Sequence, residues 1–147
     1  MTRRLAGEGR AVTTYVLDAS AVLRFYDRET GWERVAQVLS QGMARKVGLT
    51  ISAVQWGEIM GAVRKKQGVG AELRAMGILS RFPLQIEPAT AERAMRAAEL
   101  KVDRKIAYAD AFAATLAMEI AESVLVTADY GFKTVEELTR IEFLPPK

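Results

Sequence analysis

The chain contains neither cysteine nor histidine. Their absence removes a thiol nucleophile, a Ser-His-Asp triad, an imidazole general base and a zinc site built from the usual sulfur and nitrogen ligands. Any chemistry must come from carboxylates, hydroxyls, amines or a hard metal ion held by oxygen. Long apolar runs are missing too. The stretch without charge near the middle of the chain, Val47 to Gly57, has 11 residues, against the roughly 20 needed to span a membrane, so a soluble protein is expected. The opening Met1 to Arg10 carries charges with no apolar run behind them and reads as a basic tail over residues 1–12 rather than a secretory signal. The lack of cysteine fits a reducing, cytoplasmic setting.

What is present suits one globular domain over residues 13–147. At 147 residues with 50% apolar side chains, the chain can bury roughly two-thirds of its unfolded surface, enough for a core without disulfides or a structural metal. Strand-like and helix-like segments alternate, with no repeat and no low-complexity linker, which predicts an α/β fold on a parallel sheet. Strands are expected at 13–17, 47–51, 84–87, 123–127 and 141–143. Helices are expected from Ala21, capped by Ser20; around Trp32 to Leu39, stopped by Gly42; from Ser52 to about Lys66; over 71–81; after a Thr90 cap; and over 107–121. A brief helix is expected near 134–139. Ser52 and Gln55 have the spacing of a capping box, each satisfying an orphaned amide at the helix start.

Four acids stand where a solvated face would not put them. Asp18 closes the first strand, at the sheet edge where open α/β folds bind ligands; a helix cap is the plainer reading. Glu58 is the one charge between Ser52 and Val63, with Val54, Gly61 and Ala62 as helical neighbours. Its alternatives are pairing, protonation, a bound cation, or a groove edge that reaches water. Asp110 is the one charge from Ile106 to Met118, among the small Ala107, Ala113 and Ala114; the competing reading is a later helix that Asp110 caps. Asp129 follows the strand at 123–127 and by itself reads as a turn residue. All four can attach to one edge of one sheet. Two like charges about 4 Å apart repel by roughly 4 kcal/mol at an effective dielectric of 20, so such a pocket calls for a cation. With only oxygen ligands on offer, that is Mg²⁺ or Mn²⁺.

The charge balance suggests the substrate. The net charge is +3 from 21 basic and 18 acidic residues; with the four acids set aside, 21 bases face 14 acids, a surplus of seven. An acidic pocket in a basic surround suits a phosphodiester chain, with Arg104, Lys105, Lys133, the Arg64-Lys65-Lys66 run and the tail arginines as phosphate contacts. Each of these is also read as an ordinary solvated charge.

Tyr-Val-Leu-Asp18-Ala-Ser20, Ser52-Ala-Val-Gln-Trp-Gly-Glu58, Ala-Tyr-Ala-Asp110-Ala-Phe-Ala-Ala and Leu-Val-Thr127-Ala-Asp129-Tyr-Gly-Phe-Lys133 together resemble the PIN-domain ribonucleases, most closely the VapC-type toxins. The match runs in order from about residue 13 to 144. The resemblance implies a three-layer α/β/α sandwich with a central parallel sheet, RNA cleavage dependent on Mg²⁺ or Mn²⁺, a homodimer, and a small antitoxin partner whose tail occupies the acidic pocket. It places Asp18, Glu58, Asp110 and Asp129 on the family's acidic quartet. Asp18, Asp110 and Asp129 are then the metal-holding residues, with Ser20 and Thr127 as supporting hydroxyls. The first dozen residues precede the family's usual start, as an added RNA contact or a start-site artefact. Two other readings compete. A non-catalytic scaffold would use the same acids only to dock RNA or an antitoxin. A haloacid-dehalogenase-like phosphatase would use Asp18 as nucleophile but expects an acid where Ser20 stands.

Overall fold

A computed structural model describes residues 12–147. Residues 1–11 of the expected tail lie outside the described residues; Val12 is buried with the domain. Five strands form one sheet in the order β3-β2-β1-β4-β5, and every pairing is parallel. They are β1 (Thr14–Leu17), β2 (Gly48–Ser52), β3 (Leu84–Glu87), β4 (Ser123–Thr127) and β5 (Ile141–Phe143). Parallel strands need crossovers, supplied by α1 (Ala19–Asp27), α2 (Trp32–Met43), α3 (Ala53–Gln67), α4 (Val69–Leu79), α5 (Ala91–Arg104) and α6 (Tyr108–Glu119), with a 3-10 turn at Tyr130–Val135.

The two-residue period of the strands sorts the core into two layers. Leu17 and Val126 point to the face covered by α1 to α4, joining Val22, Val35, Leu39, Ile59, Val63 and Ala75. Val16 and Leu125, one residue earlier in each strand, point to the face covered by α5 and α6, joining Ala97, Leu100, Ala113, Ala114 and Phe132. The result is the expected three-layer α/β/α sandwich.

Several local expectations give way to tertiary contacts. The cap of α1 is Asp18, whose side chain accepts from the Ala21 amide, and Ser20 lies inside the first turn. Gly42 does not stop α2: it lies within the helix, where a Cβ would meet Leu49 Cδ1 at 2.2 Å, so the glycine marks close approach of α2 to β2. Ser52 caps α3 through the Val54 amide, but Gln55 does not complete a capping box, because its carbonyl oxygen accepts from the distant Ala19 amide. Helix α4 starts and ends two residues early, directly after Gly68 at φ +90°. The short helix expected near 134–139 lies instead at 130–135, because Asp129 accepts from the Gly131 amide and turns the chain at once. Thr90 caps α5 as expected, through the Arg93 amide.

Candidate active site

The first and fourth strands lie side by side at the centre of the sheet, and the chain leaves them toward opposite faces: α1 packs with one core layer and the 3-10 turn with the other. That divergence opens a crevice at the carboxyl ends of the strands. Asp18 follows β1 and Asp129 follows β4. Glu58 reaches the crevice from α3 and Asp110 from the first turn of α6. All four line one cavity of about 400 Å³, together with Ser20, Gln55 and the small or apolar Ala19, Leu23, Ala62, Ala107 and Ala109. Ala113 and Ala114, expected beside Asp110, are buried in the core instead. Among the described residues, no cationic side chain lines the cavity.

Asp18 is the most confined of the four, with 2% of its surface exposed. Its Oδ1 accepts from the Ser20 hydroxyl at 2.8 Å and the Ala21 amide at 3.0 Å, and its Oδ2 accepts from the Thr127 hydroxyl at 2.8 Å. Both hydroxyls are themselves oriented: Ser20 Oγ accepts from the Ala128 amide and Thr127 Oγ1 from the Asp129 amide, each at 2.9 Å. The amides thus occupy the acceptor side of each hydroxyl and leave its proton for Asp18. Burial nevertheless outweighs these donors and pushes the Asp18 carboxyl up to about 6.

Asp110 sits at the third position of α6, whose cap is Ala107 without a side-chain bond, so it is not the helix cap. Burial raises its carboxyl to about 7, aided by the charges of Asp129, Asp18 and Glu58 and by a hydrogen bond shared with Asp129. Burial also raises Glu58 above the ordinary carboxylate range, although its residue is exposed overall. Asp129, exposed at the rim, is anchored through the Gly131 amide at 2.8 Å.

Among the described residues, no three acidic side chains are already closed around a common point as a metal-ligand cage; four of them face a shared space instead. That donor set fits a hard divalent ion. It is all oxygen, no cation lines the cavity among the described residues, and the cavity leaves room for the waters that Mg²⁺ and Mn²⁺ retain. Asp18, Asp110 and Asp129 could hold such an ion; the Ser20 hydroxyl is shared between both Asp18 oxygens, at 2.8 and 3.0 Å.

The expected phosphate contacts are more scattered: the tail arginines lie outside the described residues, and none of the described ones lines the cavity. Arg104 pairs with Glu137 and donates to the Thr134 carbonyl, fastening α5 to the 3-10 turn. Lys105 is the exposed left-handed cap of α5, two residues before Ala107. Lys133 lies over the rings of Tyr130 and Phe143 at 5.6 and 5.9 Å. Arg64 pairs with Glu72, and Lys66 stands 4.0 Å from Asp27.

A family model, PIN domain, matches residues 15–138. The chain belongs to the PIN-domain family. No curated protein matches it by sequence. Among solved structures, VapBC2 from Rickettsia felis bound to a DNA fragment from its promoter is similar at TM-score 0.67 and 20% identity, over 90% of this chain and 99% of that one. VapC20 of Mycobacterium tuberculosis, a sarcin-ricin loop cleaving toxin, is similar at TM-score 0.65 and 20% identity, over 89% and 99%. FitAcB from Neisseria gonorrhoeae is similar at TM-score 0.63 and 20% identity, over 86% and 95%. At these identities the likeness is one of fold.

Sequence reasoning singled out all four acids of this PIN domain's crevice and both hydroxyls beside Asp18. It missed Gln55, which is fully buried against the crevice floor. The signal for it was available: a long amide side chain in an otherwise apolar helical turn beside Glu58.

Proposed function

We propose that this PIN domain is a divalent-metal-dependent endoribonuclease, acting as the toxin of a toxin–antitoxin pair. The observation that carries the reading is the gathering of Asp18, Glu58, Asp110 and Asp129 around one cavity whose described lining includes no cationic side chain. Family membership and the toxin–antitoxin complexes of similar fold support RNA as substrate and a small antitoxin as partner.

A bound Mg²⁺ or Mn²⁺ would supply a water acidic enough to attack a phosphodiester near neutral pH and would neutralise charge on the leaving oxygen. The protein's own part is to hold and orient. Asp18, fixed by Ser20, Thr127 and the Ala21 amide, presents a carboxylate that cannot swing away. Asp129 stands beside it at the end of the adjacent strand, Asp110 faces them from α6, and Asp110, whose carboxyl is raised by burial, must lose its proton to act as a ligand. Glu58, on the α3 wall between Gln55 and Ala62, completes the site directly or through water. Leu23, Ala107 and Ala109 give the crevice apolar walls beside the four acids.

An antitoxin segment carrying arginine could fill the same cavity as a substitute cation, which couples inhibition to complex formation. Val69, Leu73 and Met76 lie exposed at helical spacing on α4 and offer apolar surface to a partner, consistent with a homodimer or an antitoxin contact. The phosphatase alternative lacks its second acid, since the Ser20 hydroxyl at that position is spent on Asp18.

The test is RNA cleavage by the full chain with Mg²⁺ or Mn²⁺, with EDTA, and with Asp110→Asn. Cleavage should require the ion and fall by at least about 100-fold in the variant. Cleavage that survives EDTA and is undiminished in Asp110→Asn would overturn the proposal.

A further inference from the structure

The two sides of the crevice are assembled by different means. Asp18 and Asp129 follow adjacent, hydrogen-bonded strands, and Ser20 and Thr127 lace those strand ends together. Asp110 arrives on α6, which lies outside the sheet. Gln55 joins the two sides. Its Oε1 accepts from the Ala19 amide at 2.6 Å, and its Nε2 donates to the Ala109 carbonyl at 2.6 Å. The first group immediately follows Asp18 and the second immediately precedes Asp110, so a single planar amide spans the backbones that carry the two acids. Ala19 N–H can only donate and the Ala109 carbonyl can only accept, which fixes the amide in one orientation.

We infer that Gln55 is a positioning residue, setting the separation of Asp18 and Asp110 at which a divalent ion can be held; this rests on the nuclease reading above. Like charges drive these segments apart when the cavity holds no cation, and a fully buried side chain bonded at both ends resists that opening. The chemistry of the position is narrow. A neutral amide supplies one donor and one acceptor without adding charge. Glutamate in its ionised form would lose the donor and bring a fifth carboxylate. Methionine has the same reach and bulk with neither bond. Asparagine, one methylene shorter, cannot span both backbone groups. Groups that orient metal ligands from behind typically change metal affinity by about 10–100-fold when removed.

The experiment uses the full chain and manganese chloride alone as probe, comparing wild type, Gln55→Met and Asp110→Asn. Calorimetric titration gives Mn²⁺ affinity, thermal unfolding confirms that each variant is folded at the assay temperature, and RNA cleavage is followed across Mn²⁺ concentration. The expected result is a folded Gln55→Met with Mn²⁺ affinity weaker by about 10-fold or more. Its cleavage should be restored by excess Mn²⁺ with the KM for RNA unchanged, whereas Asp110→Asn should not be restored. A merely structural glutamine would lower the melting temperature and leave Mn²⁺ affinity untouched; that outcome overturns the inference while the nuclease reading stands. If wild type neither binds Mn²⁺ nor cleaves RNA, both fail together. Should Gln55→Met not fold, Gln55→Asn carries the same comparison, with weakened Mn²⁺ affinity expected and unchanged affinity contradicting.

Discussion

Asp18 caps α1 and also walls the acidic crevice, so the two roles read as rivals in the sequence are both filled by one carboxylate. Its hydrogen bonds do not offset its burial, which leaves the carboxyl near 6, while Asp110 stands near 7. Both values lie above the 3.8 of an unperturbed aspartate, so the metal-free folded protein binds more protons than the unfolded chain between about pH 4 and 7. Stability from these groups is therefore complete below the unfolded value and is lost as pH rises through the folded ones. For Asp18 alone the full effect is about 3 kcal/mol. Urea unfolding of the metal-free protein should show lower stability at pH 8 than at pH 5, and a flat or rising profile would contradict the placement of these acids. Asp110→Asn should raise the melting temperature of the metal-free protein by a few degrees and abolish the further rise that Mn²⁺ gives wild type, measured by thermal scans with and without the ion. The four acids were legible because each interrupts an apolar stretch. Gln55 was passed over despite its apolar surroundings, because a polar residue three positions after a serine has a ready local explanation; its partners, Ala19 and Ala109, come from the fold.

At the scale of elements, strands were read more accurately than helix ends. The spans of β3, β4 and β5 match the sequence expectation residue for residue, since short β-branched and apolar runs flanked by turn residues leave little choice. Helix ends depend on contacts the chain makes elsewhere, and Gly42 is the clearest instance. It has the composition of a stop signal, yet it lies inside the last turn of α2, and the space where its side chain would be is occupied by Leu49. Gly42→Ala should destabilise the protein by about 1–3 kcal/mol through overpacking. Gly77→Ala, in α4 with nothing within 4 Å of the added methyl, should stabilise by up to about 1 kcal/mol through helix propensity. Chemical denaturation of the two variants checks both signs, and equal effects would mean that the α2–β2 approach does not carry the constraint.

At the scale of the whole molecule, the strand order decides where the four acids meet. The sequence announced a parallel α/β fold but not which strands adjoin, because pairing depends on long-range register. With β1 beside β4, two acids more than a hundred residues apart in sequence come to one sheet edge, and α3 and α6 lean over that edge to bring the other two. No described helix is long and apolar enough to cross a membrane. The most direct measurement of the central claim is anomalous diffraction from crystals of the full chain grown with Mn²⁺. A manganese peak should lie in the cavity within coordination distance of at least two of Asp18, Asp110 and Asp129. A metal-dependent, RNA-cleaving protein whose manganese sits elsewhere, with this cavity free of it, would contradict the account.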